Sequence, residues 1–322
     1  MSPESTQVTR SVGIIGARGY TGAELMRLVF RHPRLSLAFA SSRGKAGEPV
    51  RDVVSEAPAD LRFGHWEADD FAHTPAADVV VLALPDGAGE SFVEAIEATR
   101  PGTVVVDLGA DHRFDDNWVY GLAEHNRSRI AGATRIANPG CYATAMHLAL
   151  RPLVDRLSAT PCCFGVSGYS GAGTTPGERN DPDVLRDNLL AYKAVDHTHE
   201  REVSYRLGHA VRFVPHVASF FRGIHMTVMA EVREATSVAA LLEMYRGAYA
   251  DDALVAVREE VPRVRDIVGQ CGAVVGGFAV QRDQPTRLTV MCVLDNLLKG
   301  AASQAIQNIN LALGMPMNEG LV

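Results

Sequence analysis

Between residues 12 and 113 the chain alternates short apolar runs with segments of helical spacing: VGIIG, a helix from Ala23 to Arg31, LSLAFA, VVVLALP, a helix from about Glu90 to Thr99, then TVVVDL. Runs such as Val79 to Leu84 are apolar at consecutive positions, a pattern that suits a strand covered on both faces of a parallel sheet. The alternation predicts an α/β fold that begins with a Rossmann-type, doubly wound domain. From Cys141 the texture changes. Gly-rich turns at 165–177 and a polar stretch at 178–188 lead to apolar runs from His225 to Val232 and Arg287 to Leu294. These predict a second, α+β domain with a mixed or antiparallel sheet. The tail from Asn296 to Leu313 carries Leu298, Ala301, Ala305, Ile306, Ile309 and Ala312 at helical spacing, as a helix returning to the first domain would. The expected boundaries are 1–140, 141–294 and 295–322.

At 322 residues, 47% hydrophobic and 21% charged, the composition is that of an ordinary globular chain with room for two cores. The formal net charge is −7 and Lys and Arg form no run, so the electrostatic footprint of a nucleic-acid binder is missing and a small-molecule ligand is expected. Residues 1–10 are polar and no segment reaches ~18 continuous apolar residues, which predicts no membrane span and a cytoplasmic location. Five cysteines with no CxxC pair point to reduced thiols rather than a disulfide framework or a zinc site, and no metal is expected.

The first strand leads through Gly13, Gly16, Ala17, Arg18, Gly19, Tyr20, Thr21 and Gly22 into a helix with Leu25, Leu28 and Val29 on its apolar face. Glycines at a strand-to-helix turn let backbone N–H groups approach a pyrophosphate, which the helix terminus also attracts. The spacing is GxxGxxGxxG rather than GxGxxG, so the context carries the reading. The second strand ends in Ser41, Ser42 and Arg43, where an NAD-binding fold usually places an acid on the ribose 2′-hydroxyl. Two hydroxyls and a guanidinium suit a 2′-phosphate instead, favouring NADP with Arg18 as a second cation; the alternative is a solvated loop arginine.

Cys141 follows Asn138-Pro139-Gly140 and opens an apolar-periodic segment through Tyr142, Ala145, Ala149, Leu153 and Leu157, read as an amphipathic helix kinked at Pro152. A helix N-terminus favours thiolate, the species that attacks carbonyl carbon. Beside a nicotinamide, a thiolate suggests transfer of an activated acyl group to sulfur and reduction of the thioester by hydride, or the reverse. His197 and His199, at i and i+2, share one side of an extended segment and supply an acid/base; surface histidines or a metal pair are the competing readings. Arg113, after the VVVDL strand, and Arg222 are candidate two-oxygen clamps, with structural arginines as the alternative. The run Ser167 to Gly173, including Ser170 and Gly171, permits close backbone approach to substrate or nicotinamide. Cys292 reads as a core residue.

GARGYTGAEL, ALPDG, VVVDLGADHRF, YGL followed by Glu124, NPGCYATA, SGYSGAG, HTHEREV, FVPHV followed by RGI, and LDNLLKGAASQAIQNINLALG together resemble N-acetyl-γ-glutamyl-phosphate reductase, the arginine-pathway member of the aspartate-semialdehyde dehydrogenase group, nearly end to end. The resemblance implies that Cys141 accepts the acyl group, that the His197/His199 segment holds the acid/base, and that Asn296 contacts NADP. With it, Arg113 is expected to assist phosphate departure and Arg222 to hold the α-carboxylate. Glu202 and Ser170 join the substrate candidates and Gly171 the cofactor candidates. Ala143, Gly109 and Arg201 depart from the family pattern without removing a nucleophile or proton carrier. The resemblance further implies a homodimer or homotetramer built through the second domain. Rivals are the same chemistry on aspartyl phosphate or a carrier-linked aminoadipyl phosphate, and a non-catalytic NADP-sensing protein.

Overall fold

A computed structural model describes residues 8–322, so residues 1–7 of the polar N-terminal stretch lie outside the described residues. Two compact units account for the chain: Met1–Asn138 with Ala305–Val322, and Pro139–Gln304.

The first unit contains β1 (Arg10–Ile15), α1 (Tyr20–Arg31), β2 (Leu35–Ser41), β3 (Val79–Leu82), α2 (Glu90–Thr99), β4 (Val104–Asp107), β5 (Val119–Tyr120), α3 (Ala123–Ile130) and β6 (Arg135–Ala137). The strands form one sheet in the order β2-β1-β3-β4-β6-β5, every neighbouring pair parallel. All four residues of β3 and of β4 are buried, as two covered faces require. The β1/β3 pair, from which the chain leaves to opposite sides, is where ligands of such sheets bind, beyond the strands' carboxyl ends. Helix α1 starts at Tyr20, three residues before the expected Ala23. Gly16, at φ +85°, turns the chain so sharply that the helix follows the strand almost at once.

The second unit contains α4 (Cys141–Leu150), β7 (Cys162–Gly168), α5 (Pro182–Leu185), β8 (Leu189–Ala191), α6 (Thr198–Leu207), β9 (Arg212–Ala218), β10 (Ile224–Glu231), α7 (Val238–Ala248), β11 (Val255–Val257), β12 (Ala273–Val280) and β13 (Arg287–Leu294). Its seven-stranded mixed sheet runs β11-β12-β13-β10-β7-β9-β8, with β10 antiparallel to both neighbours. A short π-helix (Leu298–Ala302) leads into α8 (Ser303–Ala312), whose residues from Ala305 belong to the first unit.

Helix α4 differs from the expected amphipathic helix: every residue from Tyr142 to Leu150 is buried, including Thr144 and His147. The helix is wrapped by its own unit, packing against β10, β13 and α6. It also ends at Leu150 instead of kinking, and a 3-10 turn over Arg151–Arg156 carries Pro152, whose missing N–H cannot continue the α-helical ladder. The glycines at 165 and 168 lie in β7 rather than in a turn. A side chain at Gly165 would fall 2.7 Å from the Tyr142 ring and 2.8 Å from Phe213, so its absence seats the ring. No helix among the described residues is long and apolar enough to cross a membrane.

At the carboxyl end of β4, buried His112 joins the sheet to the loop that carries Arg113. Its Nδ1 lies 2.7 Å from Asp107 and its Nε2 3.0 Å from Glu90, while the ring stacks on Trp118 at 3.8 Å. Burial opposes protonation, but the two carboxylates prevail and raise the pKa above its ordinary 6.5. Folding therefore gains from the bound proton below about pH 6.5 and loses that gain as pH rises through the raised folded value. His112→Gln is accordingly expected to lower the thermal midpoint most at acidic pH, with the gap to wild type narrowing toward alkaline pH; a constant gap across melts at pH 5.5–9 would show that ionisation plays no part.

Candidate active site

In the first unit, Gly16, Gly19 and Gly22 shape the turn between β1 and α1. A Cβ at Gly16 would lie 2.2 Å from the Ala83 carbonyl oxygen, and one at Gly22 would lie 2.5 Å from that of Ala17. Gly19 is the N-cap of α1 and no side chain caps the helix, so the N–H groups of its first turn, at Tyr20 and Thr21, face their terminus as an anion site requires. The Ser41 carbonyl accepts from the N–H groups of Gly16 and Ala17 at 3.0 and 2.9 Å, which fixes the turn to the end of β2. Ser42 Oγ is buried without a protein partner, a polar group that a ligand would satisfy. Arg18 reaches toward Gly44 in the following turn, its Nε 3.7 Å from where a Gly44 Cβ would stand. Arg43 pairs with Glu67 at 2.7 Å on the surface. Exposed pairs of this kind are worth about 0–1 kcal/mol, so a phosphate could displace the glutamate. A glycine cradle, an orphaned hydroxyl and two arginines fit a phosphorylated dinucleotide.

Arg113 is buried in the same unit. Its Nε donates to the Asn138 carbonyl at 3.0 Å and its Nη2 to that of Leu108 at 2.7 Å, which fixes the guanidinium against the sheet edge.

In the second unit Cys141 is the first residue of α4 and half-buried, and all five cysteines are free thiols. Gly140, the N-cap, has no side chain to hold the terminus. Its N–H instead donates to Glu202 Oε1 at 2.9 Å, and Glu202 is completely buried. Glu202, expected to touch substrate, thus ties α6 to the turn that presents the thiol. The histidines do not lie on an extended segment. His197 is the N-cap of α6, its Nδ1 accepting from the His199 N–H at 3.1 Å, because a side-chain acceptor at this position satisfies an otherwise unmade helix bond. The helix still brings the rings together, 4.9 Å between centroids, and both stand near Tyr142: 6.3 Å for His197 and 5.9 Å for His199. Cys292 is wholly buried in the core.

Further polar groups of this unit are gathered by one short segment. Asp295, fully buried at the end of β13, receives Arg222 Nε at 2.6 Å and Nη2 at 3.0 Å, and also accepts the N–H groups of Gly269 and Leu297. Next to it, Asn296 accepts from the Gly223 N–H at 2.7 Å and donates to Ser170 Oγ at 3.0 Å, with Gly171 alongside. A Cβ at Gly168 would meet the Phe221 and Arg222 backbone at 2.6 Å, so the two loops lie in direct contact. Four residues past Asn296 the π-helix sets Gly300 against Cys141: an added Cβ would stand 2.6 Å from the Cys141 Cβ. π-turns recur at functional sites, and here the i→i−5 bond from Gly300 to Asp295 is 2.9 Å.

Electrostatically the site is dry around its rings. Burial, helped by Lys193 and Arg179, lowers His197 to about 4, so the imidazole is neutral at pH 7 and ready to accept a proton. Burial and the neighbouring Cys141 push Tyr192 up to about 12, and burial holds Tyr142 well above the usual phenol range. Tyr192, Asp295 and Gly300 are functional-site residues that the motif reading passed over. Only the glycine inside a helical pattern hinted at a close approach.

Two family models match this chain: the semialdehyde dehydrogenase NAD binding domain over residues 11–133 and the semialdehyde dehydrogenase dimerisation domain over residues 141–296. The N-acetyl-gamma-glutamyl-phosphate reductase of Stenotrophomonas maltophilia (strain R551-3) is 52% identical over 95% of this chain and 96% of its own length. That of Xylella fastidiosa (strain M23) is 48% identical over 95% and 93%. Among solved structures, a probable aspartate-semialdehyde dehydrogenase from Pseudomonas aeruginosa superposes with a TM-score of 0.76 at 22% identity, covering 95% of this chain and 98% of that one. Aspartate semialdehyde dehydrogenase from Candida albicans, solved with NADP, gives 0.73 at 15% identity over 95% and 99%. These two neighbours share the fold. With half of its residues identical to those of the reductases along nearly the whole length, the chain belongs to the N-acetyl-gamma-glutamyl-phosphate reductase family.

Proposed function

We propose that this protein is an enzyme that reduces N-acetyl-γ-glutamyl phosphate to N-acetyl-glutamate semialdehyde and phosphate with NADPH, in the cytoplasm, as a step of arginine biosynthesis. The observation that carries it is the half-buried thiol of Cys141 at a helix start, backed by Gly300 and tied through Gly140 and Glu202 to the helix that bears His197 and His199. Neutral His197 takes the thiol proton, and Cys141 Sγ attacks the acyl carbon as the bond to the phosphate oxygen breaks. His199 shares the pocket and is the second candidate for the proton carrier. Bound NADPH supplies a hydride to the thioester carbon. The imidazolium then returns its proton to the departing sulfur as the aldehyde forms. Arg222, oriented by Asp295, holds the substrate's carboxylate; Arg113 is a further substrate cation and Ser170 a further substrate contact. Gly16, Arg18, Gly19, Tyr20, Thr21, Gly22, Ser41, Ser42 and Arg43 would hold the cofactor, with Gly171 and Asn296 on the nicotinamide side. The missing acid after β2 favours NADP over NAD.

Cys141→Ser is expected to fold and to bind NADP with nearly all turnover lost. Activity retained within ten-fold, about 1.4 kcal/mol of barrier, would rule out thioester catalysis. Turnover of aspartyl phosphate or a carrier-linked aminoadipyl phosphate beyond that of the N-acetylated substrate would favour those rivals, and alkylation of Cys141 unaffected by substrate would favour a sensing protein.

Gly300→Ala displaces the thiol by steric pressure alone. A shift of about 1 Å costs on the order of 10²-fold in rate, so kcat is expected to fall steeply while KM for NADP stays unchanged. Adding Cys141→Gly to this variant should restore its thermal midpoint. A kcat within about two-fold of wild type would free Gly300 from this role.

The second unit is also proposed to form a homodimer, or a tetramer built from it, through the sheet face turned away from α4. On β10, Ile224, Met226, Val228 and Ala230 are buried in the core, while His225, Thr227 and Met229 alternate to the other face. They stand in rows across the sheet, His225 level with Val166 and His216, and Thr227 level with Phe164 and Val214. Phe164 and Met229 are 36% and 48% exposed, apolar surface that a second copy would cover. Wild type should sediment as a dimer or larger and Phe164→Glu as a monomer; a monomeric wild type would overturn the assignment.

A further inference from the structure

We infer that Arg179 and Lys193 form an anion-receiving arm at the mouth of the thiol pocket, taking the phosphoryl end of the acyl phosphate as it arrives and as it leaves. This rests on the acyl-transfer reading of Cys141 above.

The arginines first suited to this task are already committed to the protein. Arg222 is held by both oxygens of Asp295, and Arg113 is bound to two carbonyls in the other unit. Arg179 and Lys193 differ: both are exposed, and among the described residues neither is ion-paired. Of the carboxylates of their own segment, Asp181 caps α5 and Asp183 pairs with Arg186.

Their position is built rather than incidental. Arg179 lies over the Tyr192 ring at 4.8 Å, and that ring is 5.8 Å from His197. Lys193 Nζ reaches Thr198 Oγ1 at 3.5 Å, at the first turn of α6 beside the same imidazole. His197 in turn stands 6.3 Å from Tyr142, the residue that follows Cys141, so the arm and the thiol are neighbours. Asp187, Lys193 and Asp196 are the described residues other than glycine with positive φ, at 52°, 43° and 55°, and all fall in this one arm. Backbone of this kind persists where the surroundings enforce it. Here it presents Tyr192 and Lys193 shortly before His197.

The chemistry needs such a group. When the Cys141 sulfur–carbon bond forms, the carbon–oxygen bond to phosphate breaks and phosphate departs with the electron pair. Two unpaired cations offset that charge and raise the local concentration of an anionic substrate.

The test uses the intact protein and the rates at which Cys141 reacts with iodoacetate and with neutral iodoacetamide. Wild type should favour the anion in a salt-sensitive way. In Arg179→Gln/Lys193→Gln the iodoacetate-to-iodoacetamide ratio should drop about ten-fold, and the KM for inorganic phosphate in the reverse reaction should rise by a similar factor. Arg179→Lys, which keeps the charge, should preserve the ratio. A purely structural role would slow both reagents alike and leave the ratio unmoved, and that result, or an unchanged phosphate KM, would overturn the assignment. Wild type that reacts with neither reagent at Cys141, or that reduces no acyl phosphate, would instead sink the underlying reading of the thiol.

Discussion

The contact between Gly300 and Cys141 is the constraint on which the second unit's site depends. A nucleophile at a helix start needs its Cα–Cβ direction fixed, and rotation of the first turn is the freedom most easily left over at a terminus. Two opposed supports remove it. Glu202 holds the Gly140 N–H from one side, and the π-turn presses on the Cys141 Cβ from the other. The π-turn itself is anchored by Asp295, which also binds Arg222. The segment from Asp295 to Gly300 therefore carries both the carboxylate that holds Arg222 and the glycine set against Cys141.

Magnitudes separate the cations of the chain into two kinds. The Arg222–Asp295 pair has one fully buried partner and several further hydrogen bonds, and removing one member of such a pair costs about 3–5 kcal/mol. The Arg43–Glu67 pair is exposed and worth about 0–1 kcal/mol. The first kind serves as fixed geometry, a donor that does not move when substrate binds. The second kind can exchange its partner for a ligand phosphate with little loss, which is the property expected of a residue that captures a nucleotide.

The first unit's sheet was legible because burial on both faces leaves a mark, consecutive Val and Leu, that no loop imitates. The thiol was legible because Pro-Gly before it and a long apolar segment after it announce a helix start. The helix around it was read as one-sided, and wrongly, since Thr144 and His147 look polar in sequence yet lie buried. Polar residues in a core are satisfied by neighbours distant in the chain, as Thr144 is by Gln304 at 3.1 Å, and no local period records such partners. The histidines were singled out by residue type, while their backbone was misjudged because a histidine N-cap is uncommon beside Ser, Thr, Asp or Asn. Gly300, Asp295 and Tyr192 stayed hidden for the same reason: each matters through contacts formed only after the sheet closes.

This division has a physical basis. What a sequence advertises is burial periodicity and backbone permission, both local quantities. What a thioester site requires is the relative placement of a sulfur, an imidazole and cations drawn from helix starts, strand ends and an arm with strained backbone. The fold puts the proposed reacting groups on rigid termini, Cys141 on α4 and His197 on α6, and the groups proposed to meet the charged end of a ligand on irregular backbone. Rigid elements hold reacting atoms to a fraction of an ångström, whereas charge acts over several ångströms and tolerates a looser scaffold. The exposed, positive-φ arm around Lys193 and the buried π-turn around Gly300 are two answers to that difference in tolerance.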